Sequence, residues 1–349
     1  MRTATDSPSQ IIFTAAPGSG RFALDEIRQA DREARLLDWL DPGVGLVELS
    51  ASWDWLAATC RDKPPVFARH ICPVRASRPL AGSLSDLDGL DQALESLIPL
   101  LDRERSFSVQ TRLLGGGPWP YQRFDVNQRL AARLQAAGGS LAVSRPQQVV
   151  SVVCTTAHAY LGLSAAADNL SDWGGGERRF RREAGQVSRA EFKLLEAMEL
   201  FRVGLPAGGA ALDLGAAPGG WTRILRAHGM RVVAVDPADL HPAVASDPGV
   251  VHVRQRAQRY LPTRREFDLI LNDMRLEALD SARLMLLAAG SLKPSGMAVM
   301  TLKLPREGMA GAAARALDLL RQGYRIEGAR QLFHNRNEIT LALKRAKGG

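Results

Sequence analysis

The sequence predicts a two-part chain: an α/β domain on a doubly wound, mostly parallel sheet in the C-terminal half, preceded by a smaller α+β region. Three observations carry this expectation. After residue 209, short apolar runs alternate regularly with amphipathic stretches, the pattern of strands buried on both faces and joined by helices. The punctuation-rich tract "NLSDWGGGERRFRREAGQV" (169–187) divides the chain. Upstream of it, strand-like and helix-like segments alternate on shorter and less regular spacing.

In order along the chain, "QIIFTAA" (10–16) and "GLVELS" (45–50) read as strands around one helix, "RFALDEIRQADREARLL". "LDGLDQALESLIPLL" reads as a helix, "SFSVQTRLL" as a strand and "FDVNQRLAARLQAAG" as an amphipathic helix. "QVVSVVCTTAHAYLGLS" fits either a strand pair or one extended strand. Beyond the tract, strands are expected at "AALDLG" (210–215), "RVVAVD" (231–236), "VVHVR" (250–254), "FDLILND" (267–273) and "GMAVMTLKL" (296–304). Helices fit "WTRILRAHG", "LDSARLMLLAAGSL" and "MAGAAARALDLLRQG", and "YRIEGARQLF" with "NEITLALKR" reads as a closing antiparallel hairpin. The resulting division is a small α+β segment over 1–90, a second small domain over 91–170, a basic Gly/Arg linker over 171–187 and the α/β domain over 188–349.

Composition narrows the class. The 349 residues are 46% hydrophobic, ample for real cores, and the net charge of +8 suits a polyanionic partner. Cys60, Cys72 and Cys154 are odd in number and far apart, which gives no disulfide framework and no metal site and fits a reducing compartment. The opening stretch lacks a signal pattern and no apolar run is long enough to span a membrane, so a cytoplasmic protein, monomeric by default, is expected.

The chemistry gathers in the second half. In "LDLGAAPGGWT" (212–222) a strand ends at Asp213, a glycine-rich turn follows and a helix begins near Trp221. Such a turn brings backbone N–H groups to a ligand at the carboxyl edge of a sheet. "VVAVD" ends the next strand on Asp236, where a carboxylate can take both hydroxyls of a ribose. The turn is neither the dinucleotide pattern nor a phosphate-binding P-loop, and Asp213 is unsuited to a pyrophosphate. A ligand carrying an ammonium and a sulfonium fits better, which points to S-adenosyl-L-methionine. Asp273, Lys303 and Glu338 also fall at strand ends, charged residues inside apolar patterns that need partners.

"SRAEFKLLEA" (188–197) opens like a capped helix, with Ser188 and Glu191 at capping-box spacing. Its Lys193 lies on the flank of the apolar arc, where two roles are open: a snorkelling surface lysine, or an ammonium aimed into a site. Arg178, Arg179, Arg181 and Arg182 form a basic run that reads either as solvated linker or as a set of phosphate contacts.

The ordered set Lys193, Asp273, Lys303 and Glu338, with "SRAEFKLLE", "LDLGAAPGGWT" and "NDM", resembles the FtsJ class of S-adenosylmethionine-dependent RNA 2′-O-ribose methyltransferases. "TLKLP" and "ARQLFHNRNEIT" narrow the resemblance to enzymes acting on a cytidine of 23S ribosomal RNA. It covers 188–345 closely. More weakly, "FSVQTR" and "SRPQQVVSVVCTTAHAYLGLS" resemble a THUMP RNA-binding domain preceded by a ferredoxin-like segment. The resemblance implies a Rossmann-like methyltransferase domain in which the four charged residues are catalytic, with Lys303 as proton acceptor or polarising group. It also implies a cofactor pocket lined by Ser188, Asp213, Gly215, Ala217, Pro218, Gly219, Gly220, Trp221, Asp236 and Asp273. Base action by Lys303 requires a lowered pKa, which burial and nearby Lys193 favour. One position departs from the family: where an acidic residue usually meets the adenine amino group, this chain reads "VRQRAQRY", leaving backbone groups or Gln255 beside Arg256.

Two other activities compete. Methylation of exocyclic nitrogens goes with an Asn/Asp-Pro-Pro-aromatic motif where this chain has "NDMR", and carbon methylation needs a cysteine that the α/β half lacks. A non-catalytic RNA-binding assembly factor on the same fold is the alternative from a different class.

Overall fold

The computed structural model describes residues 9–117, 119–260 and 265–346, so the amino-terminal reading falls partly outside the described residues. The chain forms two compact units, 1–177 and 178–349.

The first unit holds two sheets. β1 (Gln10–Thr14), β2 (Arg35–Asp41), β3 (Val44–Glu48) and β4 (His70–Val74) form an antiparallel sheet ordered β2-β3-β1-β4, with α1 (Gly20–Ala30) and α2 (Trp53–Asp62) between its strands. β5 (Ala76–Pro79), β6 (Ser106–Leu113), β7 (Ser140–Leu141), β8 (Gln148–Cys154) and β9 (His158–Ala165) form the second, ordered β5-β9-β8-β6-β7, with α3 (Asp86–Leu94) and α4 (Arg123–Ala136). "QVVSVVCTTAHAYLGLS" is thus a strand pair.

Several expectations are corrected here. The helix read through "RFALDEIRQADREARLL" stops at Ala30, and residues from Arg35 onward form strand β2. The cause is Asp31, whose carboxylate accepts from Ser50 N at 2.7 Å, Ser50 Oγ at 2.6 Å and Ala51 N at 3.0 Å, pinning the chain to the far end of β3. Helix α2, capped by Ser52 accepting from Trp55 N, went unread, as did β4. The boundary expected at residue 90 falls inside α3, and the change of sheet lies between β4 and β5. Nor is the glycine tract a free linker: Gly175 O accepts from Thr14 Oγ1 at 2.7 Å, and Glu177 pairs with Arg112 at 3.1 Å within the first unit.

The second unit begins with α5 (Ala190–Phe201) and is built on a seven-stranded sheet. Its strands are β10 (Ala210–Leu214), β11 (Arg231–Val235), β12 (Val250–Val253), β13 (Phe267–Asn272), β14 (Leu292–Lys303), β15 (Tyr324–Arg330) and β16 (Glu338–Arg345), in the order β12-β11-β10-β13-β14-β16-β15. The first five are parallel, and β16 runs antiparallel to both neighbours. α6 (Gly220–Ala227), α7 (Pro242–Ala245), α8 (Ala278–Ala288) and α9 (Met309–Leu320) lie between strands. Leu212, Leu271 and Val299 are fully buried at the sheet's centre, where a Leu-to-Ala change costs roughly 2–5 kcal/mol.

Strand order reverses at β10: β11 and β12 extend one way, β13 and β14 the other. In such sheets the loops leaving adjacent strand ends part company, opening a crevice at the carboxyl edge. β16 starts on that edge because it is antiparallel, and its first residue, Glu338, is in register with Lys303, the last of β14.

Candidate active site

The turn after β10 forms the floor of a cavity of about 690 Å³ at this edge. Gly219 caps α6 with φ +105°, a left-handed conformation that favours glycine, and a Cβ there would also meet Val244 at 3.0 Å. Gly215, Ala217, Pro218, Gly220 and Trp221 line the cavity; Gly219, expected with them, does not. Trp221 is fixed by its Nε1 donating to Ala190 O at 2.7 Å, which joins α6 to α5.

Three carboxylates face the cavity. Asp213 is buried, and Thr222 Oγ1 donates to it at 2.7 Å. Burial pushes its pKa up to about 7; the Thr222 bonds oppose this, and the neighbouring charges, Asp273 and Asp236, add to it. Asp236, just past β11, accepts from Ala217 N at 3.1 Å and Ala238 N at 2.8 Å. Asp273, just past β13, belongs both to this cavity and to the ion cluster described below.

Ser188 lines the same cavity, yet only half of the expected capping box forms. Glu191 accepts from Val187 N at 2.7 Å and Ser188 N at 3.3 Å, while Ser188 Oγ caps nothing and has no hydrogen-bond partner among the described residues. A buried hydroxyl left unpaired is costly unless a ligand satisfies it. The donor set fits S-adenosylmethionine: a buried carboxylate lacking a cation suits the ligand's ammonium, a strand-end carboxylate its ribose, and the free hydroxyl a further polar group. Beyond Asp236 the wall is Arg256, Ala257 and Gln258. Gln255, expected there, does not line the cavity, whereas Gln258 does, though both are exposed.

Lys193, Asp273, Lys303 and Glu338 meet beside the cavity. Lys193 Nζ lies 3.3 Å from both Asp273 oxygens and 2.5 Å from Glu338 Oε1. Lys303 Nζ donates to Asp273 Oδ1 at 2.6 Å and to Glu338 Oε2. Lys193 is therefore not a snorkelling residue; its ammonium turns into the cluster and is only 16% exposed.

Two features differ from expectation. Burial alone lowers the Lys303 pKa, but Asp273 and Glu338 outweigh it and hold the ammonium above the ordinary lysine value, opposite to what a resting base requires. Burial raises Glu338 in turn, and Lys303 and Lys193 outweigh it and hold the carboxyl below its usual range. The second is Thr301, a residue that went unread: fully buried, it donates to Asp273 Oδ1 at 2.5 Å and accepts from Lys303 Nζ at 2.9 Å. Residues two apart share one face of a strand, which sets Thr301 beside Lys303, but a threonine in an apolar strand carries no signal of its own.

The arginine run divides. Arg178 donates twice to Glu199 at 2.7 Å and lies 4.0 Å over the Phe180 ring, which stacks on Phe192. Arg179 sits 5.8 Å from the centre of the Phe333 ring. Arg181 and Arg182 are exposed and make no hydrogen bond or ion pair among the described residues. Among those residues no helix is long and apolar enough to cross a membrane.

A parallel sheet with a glycine turn at its switch point, carboxylates at adjacent strand ends and a cavity fitted to a sulfonium amino acid defines an S-adenosylmethionine-dependent methyltransferase. Consistent with this, the family model for FtsJ-like methyltransferases matches residues 186–300. Proteins named ribosomal RNA large subunit methyltransferase M are similar over more of the chain. That of Alkalilimnicola ehrlichii is 31% identical over 307 residues, 82% of this chain and 81% of the relative; that of Idiomarina loihiensis is 28% identical over 306 residues, 81% and 80%. That of Halorhodospira halophila is 38% identical over 179 residues, a match spanning 50% of this chain and 51% of the relative. The chain belongs to the ribosomal RNA large subunit methyltransferase M family.

Proposed function

We propose that the chain transfers the methyl group of S-adenosylmethionine to the ribose 2′-hydroxyl of a cytidine in 23S ribosomal RNA or its precursor. The observation that carries this reading is the convergence of Lys193, Asp273, Lys303 and Glu338 beside the cavity that Asp273 also lines. When bound, S-adenosylmethionine supplies a methyl group activated by its sulfonium. The protein's share is then to align the attacking oxygen and to manage one proton. Lys303, charged at rest, polarises the hydroxyl and stabilises negative charge as it develops. The departing proton passes to Asp273 or Glu338, because an oxygen gaining a carbon substituent becomes acidic enough for a carboxylate to take it. Lys193 holds Glu338 and Asp273 in place and adds a second positive charge beside the reacting oxygen.

RNA holding falls to the α+β unit and to the exposed Arg181 and Arg182. The protein acts as a monomer in the cytoplasm, an assignment that its three cysteines, none of them in a disulfide, suit. Mapping 2′-O-methylation across 23S rRNA from cells with and without the gene tests the whole reading. One cytidine should lose its mark and regain it on complementation. An unchanged map, or loss of a mark on a base, rejects the reading.

The arginines supply a second test. Replacing Arg181 and Arg182 with alanine should flatten the salt dependence of RNA binding by about two charges. Arg178→Ala, by contrast, should lower the melting temperature, because its contacts are internal.

A further inference from the structure

The Lys303 ammonium has three N–H bonds, and each has an acceptor: Asp273 Oδ1, Glu338 Oε2 and Thr301 Oγ1. A fourth partner has no direction left to approach from, so a substrate hydroxyl reaches Lys303 only by replacing one of these three. All three bonds have a charged donor, but two also end on carboxylates, whereas the bond to Thr301 at 2.9 Å goes to a neutral hydroxyl and is the weakest of the set. Thr301 is itself held firmly: it is fully buried in β14 and donates its own proton to Asp273 Oδ1 at 2.5 Å.

We propose that Thr301 is a positioning residue of the reaction centre, holding the third Lys303 N–H at rest until the incoming hydroxyl takes it over. When substrate arrives, the partly exposed ammonium turns that N–H from Thr301 to the ribose oxygen, and Thr301 keeps Asp273 oriented through the bond it donates. The exchange trades one neutral acceptor for another, so Lys303 never loses both carboxylates and never sits without a third partner. The spacing that makes this possible is the two-residue repeat of the strand, which sets Thr301 and Lys303 on one face.

This inference rests on the proposed ribose methylation, and its test includes a readout that does not depend on RNA. Amine acylation of the folded protein, followed by mass spectrometry, compares Lys303 with Lys293, which pairs with Asp268 elsewhere. In Thr301→Val the Lys303 ammonium loses an acceptor that stabilises it, and its labelling relative to Lys293 should rise about fivefold. In Thr301→Ser the ratio should not change. Alongside this, Thr301→Val should lower kcat at least about tenfold while KM for the RNA and cofactor affinity hold, and Thr301→Ser should restore most of the rate. An unchanged labelling ratio in the valine variant overturns the proposal, as does an equal loss of rate in both variants. Should the unsubstituted protein fail to methylate rRNA, the proposed function fails, and the labelling ratio still decides the role of Thr301.

Discussion

The two ends of the sheet's carboxyl edge handle charge in opposite ways. At the cofactor end, among the described residues, Asp213 and Asp236 are bound only by a threonine and by backbone N–H groups, and Asp213 has other carboxylates as its charged neighbours. A few residues along the same edge, two lysines and two carboxylates cross-link one another, and Thr301 takes the last Lys303 proton. In the proposed reaction a cationic ligand completes the first region, whereas the second is complete by itself and takes substrate by exchanging a partner. Asp273 is common to both, lining the cavity and pairing with Lys193.

The largest expected effect comes from breaking the self-sufficient end. Lys303→Ala should reduce methyl transfer by about 10²- to 10³-fold, the range for losing one donor that stabilises charge on the reacting oxygen. Cofactor affinity, measured by calorimetry, should stay close to that of the unsubstituted protein because Lys303 does not line the cavity. A variant that turns over normally removes Lys303 from the reaction. One that loses cofactor affinity equally shows that the two regions are not separable.

That separation was partly legible in the sequence. Asp236, Asp273, Lys303 and Glu338 announce themselves because a charge ending an apolar strand is rare without a purpose. Thr301 does not, since threonine is a good strand former and only the tertiary fold brings its hydroxyl to Asp273. Gln258 replaced Gln255 for a similar reason: a loop's path is set by what it packs on, not by its own residues. The direction of the Lys303 shift was misjudged because sequence reveals which charges share an edge but not their distances. The carboxylates touch Lys303, and Lys193 reaches it only through them. The false continuation of α1 has the same origin, because Asp31 ends that helix through partners near Ser50.

A middle-sized effect should follow from altering the incomplete end. With the Asp213 carboxyl raised to about 7, the charged form that a ligand ammonium needs is scarce in mildly acid solution. Cofactor affinity should therefore climb about tenfold per pH unit below about pH 7 and level off above it. Asp213→Asn should abolish that slope and weaken binding at pH 8 by about 10- to 100-fold, the worth of a hydrogen bond to a charged group. Stability of the ligand-free protein runs the other way. A carboxyl with a raised folded pKa contributes stability that is present below the unfolded value of 3.8 and is lost as pH rises through about 7. Isothermal titrations and melting curves at matched pH check both slopes, and a flat affinity profile would falsify the role given to Asp213.

The smallest effect tests whether an unpaired group marks the cofactor end at all. Ser188 Oγ has no partner among the described residues, while its neighbour Glu191 accepts from Val187 N and pairs with Arg223. Ser188→Ala should thus cost cofactor affinity about fivefold, one hydrogen bond's worth, and shift the melting temperature by no more than ~1 °C. Glu191→Ala should reverse the pattern, lowering the melting temperature through loss of its backbone and arginine bonds. If Ser188→Ala instead destabilises the fold and leaves binding alone, the hydroxyl is an ordinary helix-start residue, and the incomplete end shrinks to its carboxylates.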